Sequence, residues 1–121
     1  MQFEFDNNIP IYLQLVEQFK ISIISGKMKS GERLLSVREL AVQTKVNPNT
    51  MQKALMELEE IGLIYTERTN GKFVTKDQSL IDKYKKQYAE DLCKKYFLGM
   101  NELGFDKDSA IDYLKVIGGD K

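Results

Sequence analysis

Between residues 46 and 64 the chain reads VNPNTMQKALMELEEIGLI. Asn47, Pro48, Asn49, Thr50, Gln52 and Lys53 make its first half polar, and Glu57, Glu59 and Glu60 make its second half acidic. Asparagine and glutamine carry a donor and an acceptor side by side, so each can pair with two atoms on an adenine edge, and a threonine methyl can meet a thymine methyl. Phosphates repel carboxylates. The division therefore suits a helix whose beginning meets a nucleic acid and whose end points away from it.

Other chemistries have little to work with. The 121 residues include no histidine and one cysteine, Cys93. That removes imidazole general bases, Ser-His-Asp and Cys-His arrangements, and zinc sites built on imidazole or on several thiolates. Asp82, Glu90, Asp91, Asp106, Asp108 and Asp112 are interspersed with lysines in helical sequence and read as solvated faces. No catalytic residue, metal or cofactor is expected. The net charge is zero, which argues against coating nucleic acid by bulk charge, but residues 26–53 hold a local excess of four positive charges. Apolar runs fall far short of the roughly 20 residues of a membrane span. The opening MQFEFDNN has no secretory pattern, so a cytoplasmic protein is expected.

The elements that would position these residues are legible in the spacing. Pro10 suits a helix start, and Tyr12, Leu15, Val16, Phe19 and Ile23 repeat at three and four residues, with Ile21 and Ile24 widening the stripe and Gly26 closing it. Phe3 and Phe5 alternate with acids, which predicts an extended arm laying two rings on the body. Ser36 and Glu39 have capping-box spacing, and Leu35 with Leu40 has that of a hydrophobic staple, so a second helix starts at Ser36 with Arg38 exposed in its first turn. Asn47 caps a third helix with Pro48 as its first residue, and Met51, Ala54, Leu55, Leu58 and Ile61 form its buried stripe. Two short helices joined by residues 44–46 make a helix-turn-helix. Residues 63–68 and 72–75 read as strands joined at Asn70-Gly71, a strong hairpin-turn signal.

From residue 78 the pattern returns to helix. Tyr84, Tyr88, Leu92 and Tyr96 share one side, Gly99 and Gly104 bracket a break, and a last helix carries Ala110, Ile111, Leu114 and Ile117. A hairpin this small cannot bury its aromatic surface alone; it needs the rest of the chain, a second copy, or both.

PIYLQLVEQFKISIISGKMKSGERL, SVRELA, VNPNTMQKALMELEEIGLI and GKFV, in unbroken order over residues 10–75, resemble the DNA-binding domain of GntR-family bacterial transcription regulators. The short tail is similar to that of the YtrA-type subgroup, whose C-terminal part is a pair of dimerising helices. The resemblance implies a mainly α fold with a small β-hairpin: a winged helix-turn-helix DNA-binding domain over residues 1–77, then a helical hairpin for dimerisation over 78–121. It implies that Arg38 contacts the operator, that Asn47, Pro48, Asn49, Thr50 and Gln52 begin the recognition helix, and that Asn70 and Gly71 form the wing tip. Lys53 and Lys72 are added, on charge, as phosphate contacts. Tyr84, Tyr88, Leu92, Tyr96 and Leu114 are expected in the dimer interface. The implied function is a repressor binding a pseudo-palindromic operator in double-stranded DNA as a homodimer; a winged helix used for protein–protein contact is the alternative. A small-molecule effector stays open. Leu35 stands where the family usually has proline, and the recognition helix has no arginine, so guanine readout from it is not expected.

Overall fold

A computed structural model describes residues 3–119. Its elements run α1 (Ile11–Ile24), α2 (Val37–Thr44), α3 (Pro48–Glu60), β1 (Ile64–Glu67), β2 (Gly71–Val74), α4 (Gln78–Glu102) and α5 (Lys107–Gly118). The chain forms two compact units, Met1–Lys85 and Lys86–Lys121.

In the first unit α1 and α2 both pack on α3. The stripes predicted from the sequence meet there: Leu15, Phe19, Met51, Ala54, Leu55 and Leu58 are fully buried. Ile24 joins them at the margin, whereas Ile21 stays half exposed, so α1 is covered on one side more than on the other. The N-terminal arm lies on this body as expected, with the Phe3 ring edge-on to Phe19 at 5.4 Å. Two α1 amides strap it down. The Gln14 side chain accepts from the Asp6 N–H and donates to the Asp6 carbonyl, both at 2.6 Å, and Gln18 donates to the Glu4 carbonyl at 3.0 Å.

Local chemistry sets the helix ends. Ser36 accepts from the Glu39 N–H while Glu39 accepts from the Ser36 N–H, both at 3.1 Å, which completes the expected capping box. Leu40 is buried but Leu35 is 41% exposed, so the box, not a staple, defines this start. Lys45 ends α2 in the left-handed region, and Asn47 caps α3 by accepting from the Asn49 N–H at 2.8 Å. Gly62 ends the turn after α3 at φ +82°, where a Cβ would stand 3.2 Å from Leu80.

The hairpin differs from its sequence signal. Glu67 pairs with Gly71, so the loop is Arg68-Thr69-Asn70 and Gly71 opens β2 at φ +101°. The Asn70 N–H donates to the Glu67 carbonyl at 3.2 Å, which places Arg68 and Thr69 at the centre of the turn. Asparagine-glycine is thus the closing half of a three-residue loop, a position that also uses glycine's positive φ. An extended stretch that periodicity could not reveal adds to the sheet. Arg33 bridges Phe73, the Leu34 N–H donates to the Lys72 carbonyl, and the Val74 N–H donates to the Glu32 carbonyl, the last two at 2.8 Å.

The first turns of α4 belong to this unit, with Ile81 buried and Leu80 and Tyr84 packed against the core. Gly99 does not break α4, which continues to Glu102. A helical glycine costs only about 1 kcal/mol against alanine, too little to stop a long helix. The break comes at Gly104, φ +95°.

The second unit contains the rest of α4 and α5. Asp106 caps α5 by accepting from the Ser109 N–H at 2.9 Å. Those hydrogen bonds hold its carboxyl below the usual range against a small opposing effect of burial. The Tyr96 hydroxyl donates to the Ala110 carbonyl at 2.7 Å, and the Phe105 ring meets Tyr113 edge-on. Ala110 is the one fully buried apolar residue among those described in this unit.

The core's role is measurable. Leu58→Ala, at a fully buried site, is expected to cost about 2–5 kcal/mol. Val42→Ala, 73% exposed, is expected to stay within about 0.5 kcal/mol. Urea unfolding of the two variants checks both; equal effects would mean that α3 does not carry the core.

Candidate nucleic-acid interface

The buried stripe of α3 decides which of its residues face outward. Asn49 and Gln52 are exposed three residues apart on one face, Thr50 is half-buried, and Pro48 is exposed at the start. Among the described residues neither the Asn49 nor the Gln52 side chain has a hydrogen-bond partner. Asn47 is exposed too, but its side-chain oxygen is engaged by the Asn49 N–H. Pairing with two atoms of an adenine requires that oxygen together with the adjacent amide N–H, so Asn49 and Gln52 are better placed for it than Asn47.

Arg38 is exposed on the first turn of α2 and has no hydrogen-bond or ion-pair partner among the described residues. The positive end of that helix is not open to an outside anion beside it. The Glu39 carboxylate occupies it, held below its ordinary pKa by hydrogen bonds from the Ser36 N–H and hydroxyl, with Arg33 nearby assisting against slight desolvation. An anion beside Arg38 would be met by its guanidinium alone.

The two lysines added as phosphate contacts are engaged within the protein. The Lys53 ammonium lies 3.8 Å from the centre of the Tyr12 ring, a cation–π contact at the α1–α3 seam. The Lys72 ammonium donates to Glu59 at 3.1 Å and to the Thr66 hydroxyl at 3.0 Å, and Thr66 donates to the same Glu59 oxygen at 2.9 Å. This triangle ties both wing strands to the end of α3, about 15 Å along the helix from Asn49. Lys72 is thus a wing anchor here, its charge offset by Glu59. Burial pushes the Glu59 carboxyl up, but the hydrogen bonds from Thr66 and Lys72 and the ammonium charge outweigh it and leave the pKa lowered.

At the wing the Asn70 amide donates to Glu67 at 3.0 Å, so it is turned back onto β1. The exposed cation at the turn is Arg68, which sequence reasoning passed over because it centred the turn on Asn70-Gly71. In the sequence Arg33 is distinguishable only as local charge. Its place beside the wing depends on backbone pairing 40 residues away, which carries no local pattern.

The expected dimerisation stripe divides. Tyr84 packs on the first unit's core, with the Lys20 ammonium 5.8 Å from its ring centre. Tyr88 is half-buried, and Tyr96 is bonded to α5. Leu92 and Leu114 remain 66% and 51% exposed, alongside Leu98, Leu103, Val116 and Ile117.

Three helices with a helix-turn-helix and a two-stranded wing define a winged helix DNA-binding domain, and the free polar face of α3 belongs to that class of regulator. Residues 11–74 match the family described as bacterial regulatory proteins, gntR family. The chain belongs to the GntR family of transcription regulators. It is 32% identical to the HTH-type transcriptional repressor YtrA of Bacillus subtilis over 94% of this chain and 88% of that one. A GntR family transcriptional regulator from Listeria monocytogenes superposes with a TM-score of 0.85 at 40% identity, covering 93% of this chain and 99% of the other. AraR(DBD), solved in complex with operator ORX1, superposes with a TM-score of 0.55 at 26% identity over 62% of this chain and 95% of its own. Among the described residues no helix is long and apolar enough to cross a membrane.

The Glu59 triangle makes a signed prediction. A carboxylate with a lowered folded pKa stabilises fully above its unfolded value and loses that contribution as pH falls through the folded one. The stability difference between wild type and Glu59→Gln should be constant near neutrality and shrink below about pH 4.5. Carboxyl NMR should give Glu59 a midpoint below that value, and an ordinary midpoint would mean that the triangle does not persist in solution.

Proposed function

We propose that this protein is a repressor that binds a pseudo-palindromic operator as a homodimer, reading bases with Asn49, Thr50 and Gln52 at the start of α3 and contacting the duplex with Arg38. The observation that carries it is the face of α3 itself. Two amide side chains stand exposed and uncommitted opposite the buried stripe, with the partnerless Arg38 on the preceding helix. The start of a recognition helix is the part that meets base edges in the major groove. The operator complex of AraR(DBD) and the repressor designation of YtrA support the same use of this domain. Asn47 and Pro48 set the start of the helix, and the wing, with Arg68, Asn70 and Gly71, lies against the duplex. Such a regulator acts in the cytoplasm, on the chromosome.

The homodimer rests on α4 and α5. Leu92, Leu98, Leu103, Leu114, Val116 and Ile117 leave more apolar surface in water than a short hairpin tolerates. A second copy would cover it, and would also add a second recognition helix to one that lacks arginine. Tyr84, already packed on the core, contributes less to that interface than Leu92 and Leu114.

Three tests address this reading. Arg38→Ala should weaken binding to operator DNA by about 1–3 kcal/mol while leaving melting and oligomeric state unchanged. Wild-type affinity should fall steeply with salt as phosphate counterions are released; an affinity indifferent to salt would favour the protein-contact alternative. Leu114→Asp should convert a dimer at micromolar concentration to monomer in sedimentation and weaken operator binding with it. A wild-type protein that is already monomeric there would overturn the dimer.

A further inference from the structure

An open hollow of about 470 Å³ lies between the start of α2 and the start of β2, lined by Arg33, Leu35, Ser36, Glu39, Gly71 and Lys72. We propose that this hollow seats one backbone phosphate of bound DNA, with the Arg33 guanidinium as its anchor. The inference rests on the DNA-binding reading and adds to it a contact on a segment outside the helix-turn-helix.

Three observations carry it. First, Arg33 is held in place at its backbone. It bridges Phe73, and the flanking Leu34 N–H and Glu32 carbonyl are hydrogen-bonded to β2. Second, its guanidinium lies across Gly71, where an added Cβ would stand 3.4 Å from Nε and 3.6 Å from Nη2. The guanidinium is thus within van der Waals reach of the first residue of β2. Third, Arg33 is the one cation lining the hollow without a partner among the described residues; Glu39 keeps its negative charge at the α2 cap, so a phosphate is seated on the wing side, at Arg33. Lys72 is paired with Glu59, and the Glu39 carboxylate is bonded to Ser36 at the α2 cap. Arg33 is influenced by the Glu39 charge but has no hydrogen bond or ion pair among the described residues.

A guanidinium has five N–H donors in a planar fork that matches two oxygens of a phosphate. In a helix-turn-helix the first helix crosses the sugar–phosphate backbone while the second enters the groove. Here the first helix is α2, and the hollow opens at its first turn. A phosphate passing there would meet Arg33 on the wing side.

The test compares wild type, Arg33→Gln and Arg33→Lys, each checked by thermal melting, on an operator duplex and on an unrelated duplex. Arg33→Gln should lose roughly tenfold or more in affinity on both duplexes alike. Its plot of log affinity against log salt should be shallower by about one phosphate's worth, and Arg33→Lys should restore that slope. Duplexes ethylated at single phosphates give the decisive readout. Wild type should be weakened by ethylation at one particular phosphate per bound copy, and Arg33→Gln should be indifferent to it. An unchanged slope and ethylation pattern would overturn the inference, whatever happened to affinity, and leave Arg33 as a support for the wing. Failure of wild type to bind any duplex would instead overturn the DNA-binding reading itself.

Discussion

Two backbone hydrogen bonds, Leu34 N–H to the Lys72 carbonyl and Val74 N–H to the Glu32 carbonyl, join the segment between α1 and α2 to the second wing strand. A two-stranded hairpin is marginally stable by itself. Pairing with a third extended stretch, and docking on α3 through the Glu59–Thr66–Lys72 triangle, gives the wing a fixed place beside the helix-turn-helix. Without those ties the segment carrying Arg33, the helix carrying Arg38 and the wing carrying Arg68 would have no fixed positions relative to one another.

The same arrangement accounts for the charge division of α3. Its first turn is capped by the uncharged Asn47 and shows Asn49 and Gln52 to solvent. Its last turn carries Glu59, whose carboxylate is employed inside the protein as the wing's anchor. One of these acids holds the wing, and by pairing with Lys72 it offsets one of the wing's cations.

The two units differ in how they satisfy their apolar residues. The first closes a core around Phe19, Met51 and Leu55. The second is a helical hairpin with one fully buried apolar side chain among its described residues and a row of exposed leucines, valine and isoleucine. Its internal order comes from local devices: the Asp106 cap, the Gly104 turn and the Tyr96 hydroxyl on the Ala110 carbonyl.

Most of the helical architecture was legible in the sequence because its causes are local. Three- and four-residue apolar spacing, the Ser36–Glu39 box and the Asn47-Pro48 start each act within one turn of helix, and each stands where the spacing put it. Gly99 misled because a glycine inside a helix is a small cost that neighbouring turns absorb, and Asn70-Gly71 misled because two loop types use the same pair. The candidate site was legible only in part. That the start of α3 would present Asn49 and Gln52 followed from the stripe. That Lys53 would lie on Tyr12, that Lys72 would pair with Glu59, and that Arg33 would reach the wing did not. Those outcomes depend on residues 13 to 41 positions apart being brought within a few ångströms. Sequence alone decided which residues form helices and which faces are apolar. The tertiary structure decided which charges are left free, because a charge is free only when no distant part of the chain reaches it.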